Sequence, residues 1–395
     1  MQNYQTVVIG GGAAGICAAI SKARDGESVV ICEKMSQMGK KILATGNGRC
    51  NLLNDILIEA YYNAAARPLV RSIFSQFGKS EITRFFNELG LQTYSQDGRI
   101  FPITNQATSV LKVLEMELKR LSVPVEYDFC CSGLSFAKNN ILVFSRGGKT
   151  VTCRKLIITG GGKSYPVLGS DGSTYDIARQ LGHTIVEPVP SAVPLVIKDN
   201  LCHFLQGQRI FAAAASVIDG KKAAPVKGEL LFTKYGLSGT CILDISEEIS
   251  IAVNRQHKKN VLVAVDMVPF LDREELKLQL VRRKKEGICT EEILAGILPN
   301  KLSAALKNLF DSGDIDAAVD SLKDRLFKVT GIKSWNEAEF TAGGINVNEV
   351  NDQTLESKLH KGVYFAGEVL DVNGRRGGYN LSWAWASGFV AGRTQ

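Results

Sequence analysis

Two short apolar runs set the reading frame of this chain. Val7-Val8-Ile9 runs into Gly10-Gly11-Gly12-Ala13-Ala14-Gly15, and Val29-Val30-Ile31-Cys32 ends on Glu33. Runs this short, bounded by glycine, predict buried strands, and the alanine-rich stretch between them predicts a helix. Further on, 65–90 is helical by periodicity, Asp97-Gly98-Arg99 is a turn, and Thr108 to Leu121 is helical. Val123 to Tyr127, Gly133 to Phe136 and Ile141 to Ser145 predict strands, with Asn139-Asn140 as a hairpin turn. Lys155 to Ile158 is a strand ending at Gly160-Gly161-Gly162, and Asp176 to Leu181 is a short helix.

After Pro188, Pro190 and Pro194 the texture changes. Residues 191–268 are strand-rich, with strands at Val193 to Ile197, Arg209 to Ile218, Glu229 to Phe232 and Asn260 to Met267. Residues 272–325 are helical, with starts at Asp272, Thr290, Pro299 and Asp314. Strands return at Phe327 to Thr330 and Ala338 to Thr341, and Ser382 to Gly392 is a helix of small residues.

The glycines at 10, 12 and 15 spell GxGxxG between strand and helix, and Glu33 closes the second strand. In that context the turn places a pyrophosphate on a helix N-terminus and the acid on ribose hydroxyls. A glycine turn serving only helix–strand packing leaves Glu33 unexplained, because a carboxylate ending an apolar strand needs a partner. The acid suits a free 2′-hydroxyl and repels a 2′-phosphate, so FAD or NAD is expected rather than NADP. The motif near residue 10, with a second glycine-rich segment at Gly367-Glu368 and Gly374 to Leu381, points to FAD. Glu368 is a further acceptor for cofactor hydroxyls. The amides of Tyr379, Asn380 and Leu381, at a helix start, suit the flavin edge where negative charge collects on reduction.

Four stretches carry a resemblance: Gly39 to Asn51 (GKKILATGNGRCN), Ile158 to Pro166 (ITGGGKSYP), Phe340 to Ile345 (FTAGGI) and Glu368 to Trp385. In these the chain resembles the BaiN-like family of NAD(P)/FAD-dependent oxidoreductases, also called aminoacetone-oxidase-like flavoproteins. The family is related to the glutathione reductase and fumarate reductase flavoproteins. The resemblance implies an α/β fold, a Rossmann-type FAD-binding domain interrupted by an inserted β-rich, barrel-like domain that carries a helical subdomain. The expected spans are 1–190 and 338–395 for the FAD domain, 191–270 and 326–337 for the insertion, and 271–325 for the helical part. It also implies non-covalent FAD contacts at Gly10, Gly12, Ala13, Ala14, Gly15, Glu33, Lys34, Lys41, Thr45, Gly46, Asn47, Arg49, Cys50 and Asn51. The same set continues at Cys131 (through its backbone, at the adenine edge), Thr159, Gly160, Gly161, Gly367, Glu368, Gly378, Tyr379, Asn380 and Leu381. Read from residues alone, the Thr45–Asn51 loop is equally an anion nest or a polar surface turn. Arg49 suits a phosphate or an anionic reduced flavin, and Cys50 a packed position beside the ring.

Composition narrows the class. At 395 residues, two or three domains are expected. No apolar run reaches membrane-span length and no leader pattern opens the chain, so a cytoplasmic protein without a membrane partner is expected. Nine cysteines without a CxxC argue for reduced thiols and against a dithiol flavin reductase. The net charge of +7 suits an anionic cofactor; the basic runs Arg255 to Lys259 and Arg282 to Lys285 read as solvated faces, so nucleic acid is not an expected partner. The four histidines lack ligand spacing, so no metal is expected. Gly160 to Gly162 lacks the spacing of a second dinucleotide site, which leaves NAD(P)H as a transient donor. The expected activity is reduction of a conjugated carbon–carbon double bond in a small organic substrate. An oxygen-dependent amine oxidase and a flavoprotein that binds or modifies tRNA are the alternatives. No residue is assigned a catalytic role, and oligomeric state is left open.

Overall fold

The computed structural model describes residues 2–138 and 140–393, so Asn139 of the expected hairpin turn lies outside them. The chain divides into two compact units, one made of the residues up to Pro188 and those from Phe340 onward, the other of Val189–Glu339.

The first unit is built on a five-stranded parallel sheet. Its strands run Val363–Phe365, Lys155–Ile158, Thr6–Ile9, Val29–Cys32 and Val125–Glu126 in spatial order. All four residues of Thr6–Ile9 and of Val29–Cys32 are buried, as expected for parallel strands covered on both faces. Register is the feature that positions the site. Ile9 pairs with Cys32 and with Ile158, and Ile158 pairs with Phe365. The four segments that follow therefore leave one edge of the sheet together: Gly10, Glu33, Thr159 and Ala366. Ligands of open α/β sheets bind at this carboxyl edge.

The helix Ala13–Arg24 is buried from Ala14 through Lys22 and packs against the helix Tyr379–Arg393. Glycines on the latter make the contact close: a Cβ at Gly388 would lie 2.2 Å from the Ala14 carbonyl oxygen, and one at Gly392 2.6 Å from that of Ala18. The helical stretch after residue 65 is two helices, Arg67–Gln76 and Lys79–Glu88. They break at Gly78, whose amide donates to the Glu81 carboxylate at 3.0 Å. A small sheet pairs Leu53–Asn54, Arg99–Pro102 and Thr93–Gln96.

The second unit is a closed antiparallel barrel of Arg209–Ile218, Val226–Thr233, Gly236–Ser238, Leu195–Ile197, Arg325–Ile332 and Val261–Asp266. Pairing of Ala213 to Ile218 with Asp266 to Val261 closes the ring. Helices within the expected strand-rich region correct the sequence reading: the short Asn200–Phe204 and the longer Thr240–Ser250. Cys241, Ile242, Ile245 and Ile249 of the latter share a core with Leu195, Phe232 and Val263. Helices at Arg273–Lys285, Asn300–Ala305 and Ile315–Lys323 follow the expected starts at Asp272, Pro299 and Asp314. Thr290 instead opens a run of turns.

Candidate active site

The turn after Thr6–Ile9 has the shape that an approaching phosphate needs. Gly10 has φ +101°, and a Cβ there would sit 2.7 Å from the Thr159 carbonyl oxygen. Only glycine meets both conditions cheaply. A Cβ at Gly15 would lie 1.9 Å from the Gly10 carbonyl oxygen, so the helix packs onto the turn itself. At Gly12 the same construction meets nothing within 4 Å: the helix cap faces open space. No side chain caps this helix, so the first-turn amides at Ala13, Ala14 and Gly15 point out with no intrahelical acceptor.

Glu33 is 8 % exposed. One carboxylate oxygen accepts from the Gly11 amide at 2.6 Å, the other from the Met35 amide at 2.8 Å. Each oxygen keeps a second lone pair. Lys34 is ion-paired with Asp171 at 2.6 Å. The Glu33 carbonyl accepts from the Phe129 amide at 2.9 Å, which draws the segment leading to Cys131 alongside. Cys130 and Cys131 are free thiols, and burial pushes Cys131 up to about 11.

A second polar knot sits at the ends of the next two strands. Lys41 Nζ donates to Glu368 at 2.6 Å and to Ser164 Oγ at 2.5 Å. Glu368 also accepts from the Thr341 amide at 2.9 Å and from Ser164 Oγ at 3.1 Å. Thr341 Oγ1 accepts the Lys163 amide at 2.8 Å. Thr159 Oγ1 donates to the carbonyls of Ile9 and Gly10 at 2.8 and 2.9 Å.

Beside Gly160 and Gly161 two buried hydroxyls have no partner among the described residues, Thr174 Oγ1 and Ser170 Oγ; Tyr175 OH, on the same helix as Thr174, also has none. A Cβ at Gly160 would overlap the Thr174 side chain, and one at Gly161 would lie 2.9 Å from Ser170 Oγ. Unsatisfied buried hydroxyls cost about 1–3 kcal/mol each, and a polar ligand at this edge of the sheet would offset that cost. A dinucleotide fits: open amides for its pyrophosphate, a carboxylate for its ribose and orphan donors beside the glycine turn.

The Thr45–Asn51 loop joins the C-terminal segment. The Asn51 amide satisfies its neighbours by donating to the Leu53 carbonyl and accepting from the Gly378 amide, both at 3.1 Å. Asn54 Nδ2 donates to the Gly377 carbonyl at 2.8 Å, and Trp385 Nε1 to that of Leu52 at 3.1 Å. Asn380 braces the loop, its amide bonded to both the amide and the carbonyl of Gly374 at 2.9 Å. Gly46 and Asn47 are both left-handed, with φ 58° and 54°. Cys50 is fully buried and burial pushes its thiol up to about 12, the state of a packed residue rather than a nucleophile. Arg49 is held by Tyr94, Gln96 and Asn105 and lies over the Phe101 ring at 4.2 Å. The structure thus gathers Gly10–Gly15, Glu33, Lys41, Thr159–Gly161 and Glu368 at one sheet edge, and joins Asn51 to Gly378. The Arg49 side chain lies against the small sheet through Tyr94, Gln96 and Phe101. Thr174 and Ser170 pack against Gly160 and Gly161 and were not singled out from sequence, although hydroxyl residues following a glycine turn are a usable signal; Ser164 and Thr341, which bond Glu368, lie in two of the stretches that carry the resemblance.

A family model described as HI0933-like protein Rossmann domain matches residues 4–394. The chain belongs to this family. Among curated proteins it is 37% identical to the 3-dehydro-bile acid delta(4,6)-reductase of Clostridium scindens, over 98% of this chain and 97% of that protein. It is 30% identical to the ribosomal RNA dihydrouridine synthase of Escherichia coli, over 99% of this chain and 97% of that protein. Among solved structures, a flavocytochrome c3 fumarate reductase shares the fold at a TM-score of 0.53 and 14% identity, covering 99% of this chain and 78% of that one. A 3-ketosteroid-delta4-(5alpha)-dehydrogenase from Rhodococcus jostii does so at 0.50 and 14%, covering 100% and 97%. This HI0933-like protein is an FAD-dependent oxidoreductase with a Rossmann-type cofactor domain. Among the described residues no helix is long and apolar enough to cross a membrane, and no cluster of His, Cys, Asp and Glu forms a metal site.

Proposed function

We propose that the protein reduces a carbon–carbon double bond conjugated to a carbonyl in a small organic substrate, with NAD(P)H as transient electron donor. The end-to-end match to the bile acid reductase carries this reading. When bound, FAD supplies the hydride chemistry. The chain supplies position and charge. The amides of Ala13, Ala14 and Gly15 take the pyrophosphate, with Gly12 leaving it room. Glu33 accepts the two ribose hydroxyls on its remaining lone pairs, beside the Cys131 backbone at the adenine. Lys41 and Glu368, tied to Ser164, fix the linker between pyrophosphate and flavin. The loop Thr45–Asn51 and the amides of Gly378 to Leu381 hold the flavin end, where first-turn amides stabilise negative charge.

Acid precipitation of the pure protein should release yellow FAD into the supernatant. Anaerobically, NADH or NADPH should bleach the flavin, and a 3-oxo-4,6-diene bile acid should restore the colour while losing a double bond. Colour restored only by oxygen, with an amine as the reductant, would replace this reading with an amine oxidase.

A second reading rests on the dihydrouridine synthase relative. The uracil double bond is likewise conjugated to a carbonyl, so the same flavin chemistry serves an RNA base. Formation of dihydrouridine in unmodified ribosomal RNA by the pure protein, with bile acids left untouched, would establish it.

A further inference from the structure

The chain leaves the sheet edge at Gly161 and returns to it at Thr174. At the near end of this segment the amides of Lys163 and Ser164 donate to Thr341 Oγ1 at 2.8 and 3.2 Å. Its far end lands beyond the neighbouring strand. Asp171 pairs with Lys34 at 2.6 Å, and a Cβ at Gly169 would lie 3.0 Å from Met35 Cγ and 3.7 Å from Lys34 Cε. Lys34 and Met35 follow the strand Val29–Cys32, Gly161 follows Lys155–Ile158, and Thr6–Ile9 runs between the two. The segment therefore spans the end of Thr6–Ile9, where the Gly10–Gly15 turn presents its open amides. Left-handed glycines turn it back, with φ +105° at Gly169 and +81° at Gly172.

This strap carries two hydroxyls to the same edge. Ser170 and Thr174 are each 6 % exposed. Among the described residues neither Ser170 Oγ nor Thr174 Oγ1 has a hydrogen-bond partner. They stand 2.9 and 2.7 Å from where a Cβ on Gly161 and on Gly160 would be. Alanine and valine would fill these places without the cost of a buried, unsatisfied donor. An acceptor that arrives with a ligand removes that cost, and at the carboxyl edge beside a glycine turn the acceptor-rich part of a dinucleotide is its diphosphate and the adjoining ribose.

We propose that Lys163–Gly172 is a retaining strap over the diphosphate end of FAD. The Ser170 and Thr174 hydroxyls donate to cofactor oxygens, and the Lys34–Asp171 ion pair holds the strap down. Lys34 and Asp171 are positioning residues: they act through Ser170, which sits between Gly169 and Asp171. The inference rests on the FAD reading of the site and is independent of the substrate.

The test titrates FAD, and ADP as a diphosphate without a flavin, into full-length apo-protein, melts the apo-protein, and times FAD release from the holo-protein. S170A and T174V should each weaken FAD and ADP alike, by about three- to tenfold. Their apo-forms should melt no lower than wild type, because each substitution removes an unsatisfied hydroxyl. D171N should speed FAD release about two- to fivefold, and raising salt from about 0.05 to about 0.5 M should speed release from wild type but not from D171N. K34R, which keeps the pair, should release FAD as wild type does. Unchanged affinities in both hydroxyl variants would overturn the strap and leave the cofactor reading standing. Affinity lost only together with apo-protein stability would overturn it too, by making the hydroxyls packing groups. Weakened FAD with unchanged ADP would take them off the diphosphate. Equal release from D171N and wild type would overturn the latch.

Discussion

Glu33 spends one lone pair of each carboxylate oxygen on a backbone amide, at Gly11 and at Met35. Those two bonds aim the remaining pairs, so replacing the residue removes both aim and charge. Glu33→Ala should weaken FAD binding about ten- to a hundredfold, since charged hydrogen bonds are worth about 1.5–3 kcal/mol each. Titration of FAD into apo-protein checks it, and equal affinities would take Glu33 off the ribose. Glu33 was legible because its demand is local: an acid closing a buried strand. The knot at Lys41 was not, because its partners Ser164 and Glu368 lie 123 and 327 positions away. His183 makes a different point. It bonds Glu349 at 3.1 Å and Ser357 Oγ at 2.8 Å, the outline of a nucleophile triad. Ser357, however, is buried and its oxygen already accepts the Leu359 and His360 amides, so the group is a brace. Burial holds the imidazole below its ordinary pKa. The unfolded chain therefore takes up the proton first, near pH 6.5. Stability present above that value is lost as pH falls below it. Urea midpoints should drop from about pH 7.5 to about pH 5.5, and His183→Gln should flatten the slope. An unchanged slope would assign it to other groups.

At the scale of elements, the nucleotide helix and the last helix of the first unit pack backbone to backbone. Gly388 gives the Ala14 carbonyl its room. Gly388→Ala should push the helices apart, costing about 1–3 kcal/mol as overpacking does. Because Ala14 lies in the first turn, cofactor affinity should fall with the melting temperature. A variant with lower Tm but wild-type FAD affinity would uncouple the two. The parallel strands were legible from their apolar runs, and so was the turn at Asp97-Gly98, though not the hairpin strands Thr93–Gln96 and Arg99–Pro102 that it joins. The helix Thr240–Ser250 was not: its isoleucines are β-branched and sit among strands, though Ile242, Ile245 and Ile249 keep helical spacing. The basic end of Arg273–Lys285 reads differently once folded. Arg283 donates to the carbonyls of Ile293 and Ala295 at 2.9 and 2.7 Å, and Lys284 to that of Gly313 at 2.9 Å. Arg283→Ala should cost about 1–3 kcal/mol in thermal unfolding, whereas Lys285→Ala should cost less than about 0.5. Equal losses would mean that these carbonyl contacts add nothing.

For the whole molecule, the second unit is one uninterrupted stretch with its own core and a closed barrel. Residues 189–339 made alone should unfold cooperatively in urea and be colourless; a fragment without a transition would show that the barrel needs the rest of the chain. The first unit is discontinuous, and its sheet joins Thr6–Ile9 to Lys155–Ile158 and then to Val363–Phe365. Such distant pairings form slowly. A ribosome that has just delivered Glu339 has therefore made every strand of the barrel but leaves Lys155–Ile158 as a raw sheet edge, with neither Glu368 nor the Gly378 loop yet in existence. Yellow colour then works as a receipt for the finished chain: a product that stops short stays pale, and its open edge offers itself to chaperones and proteases.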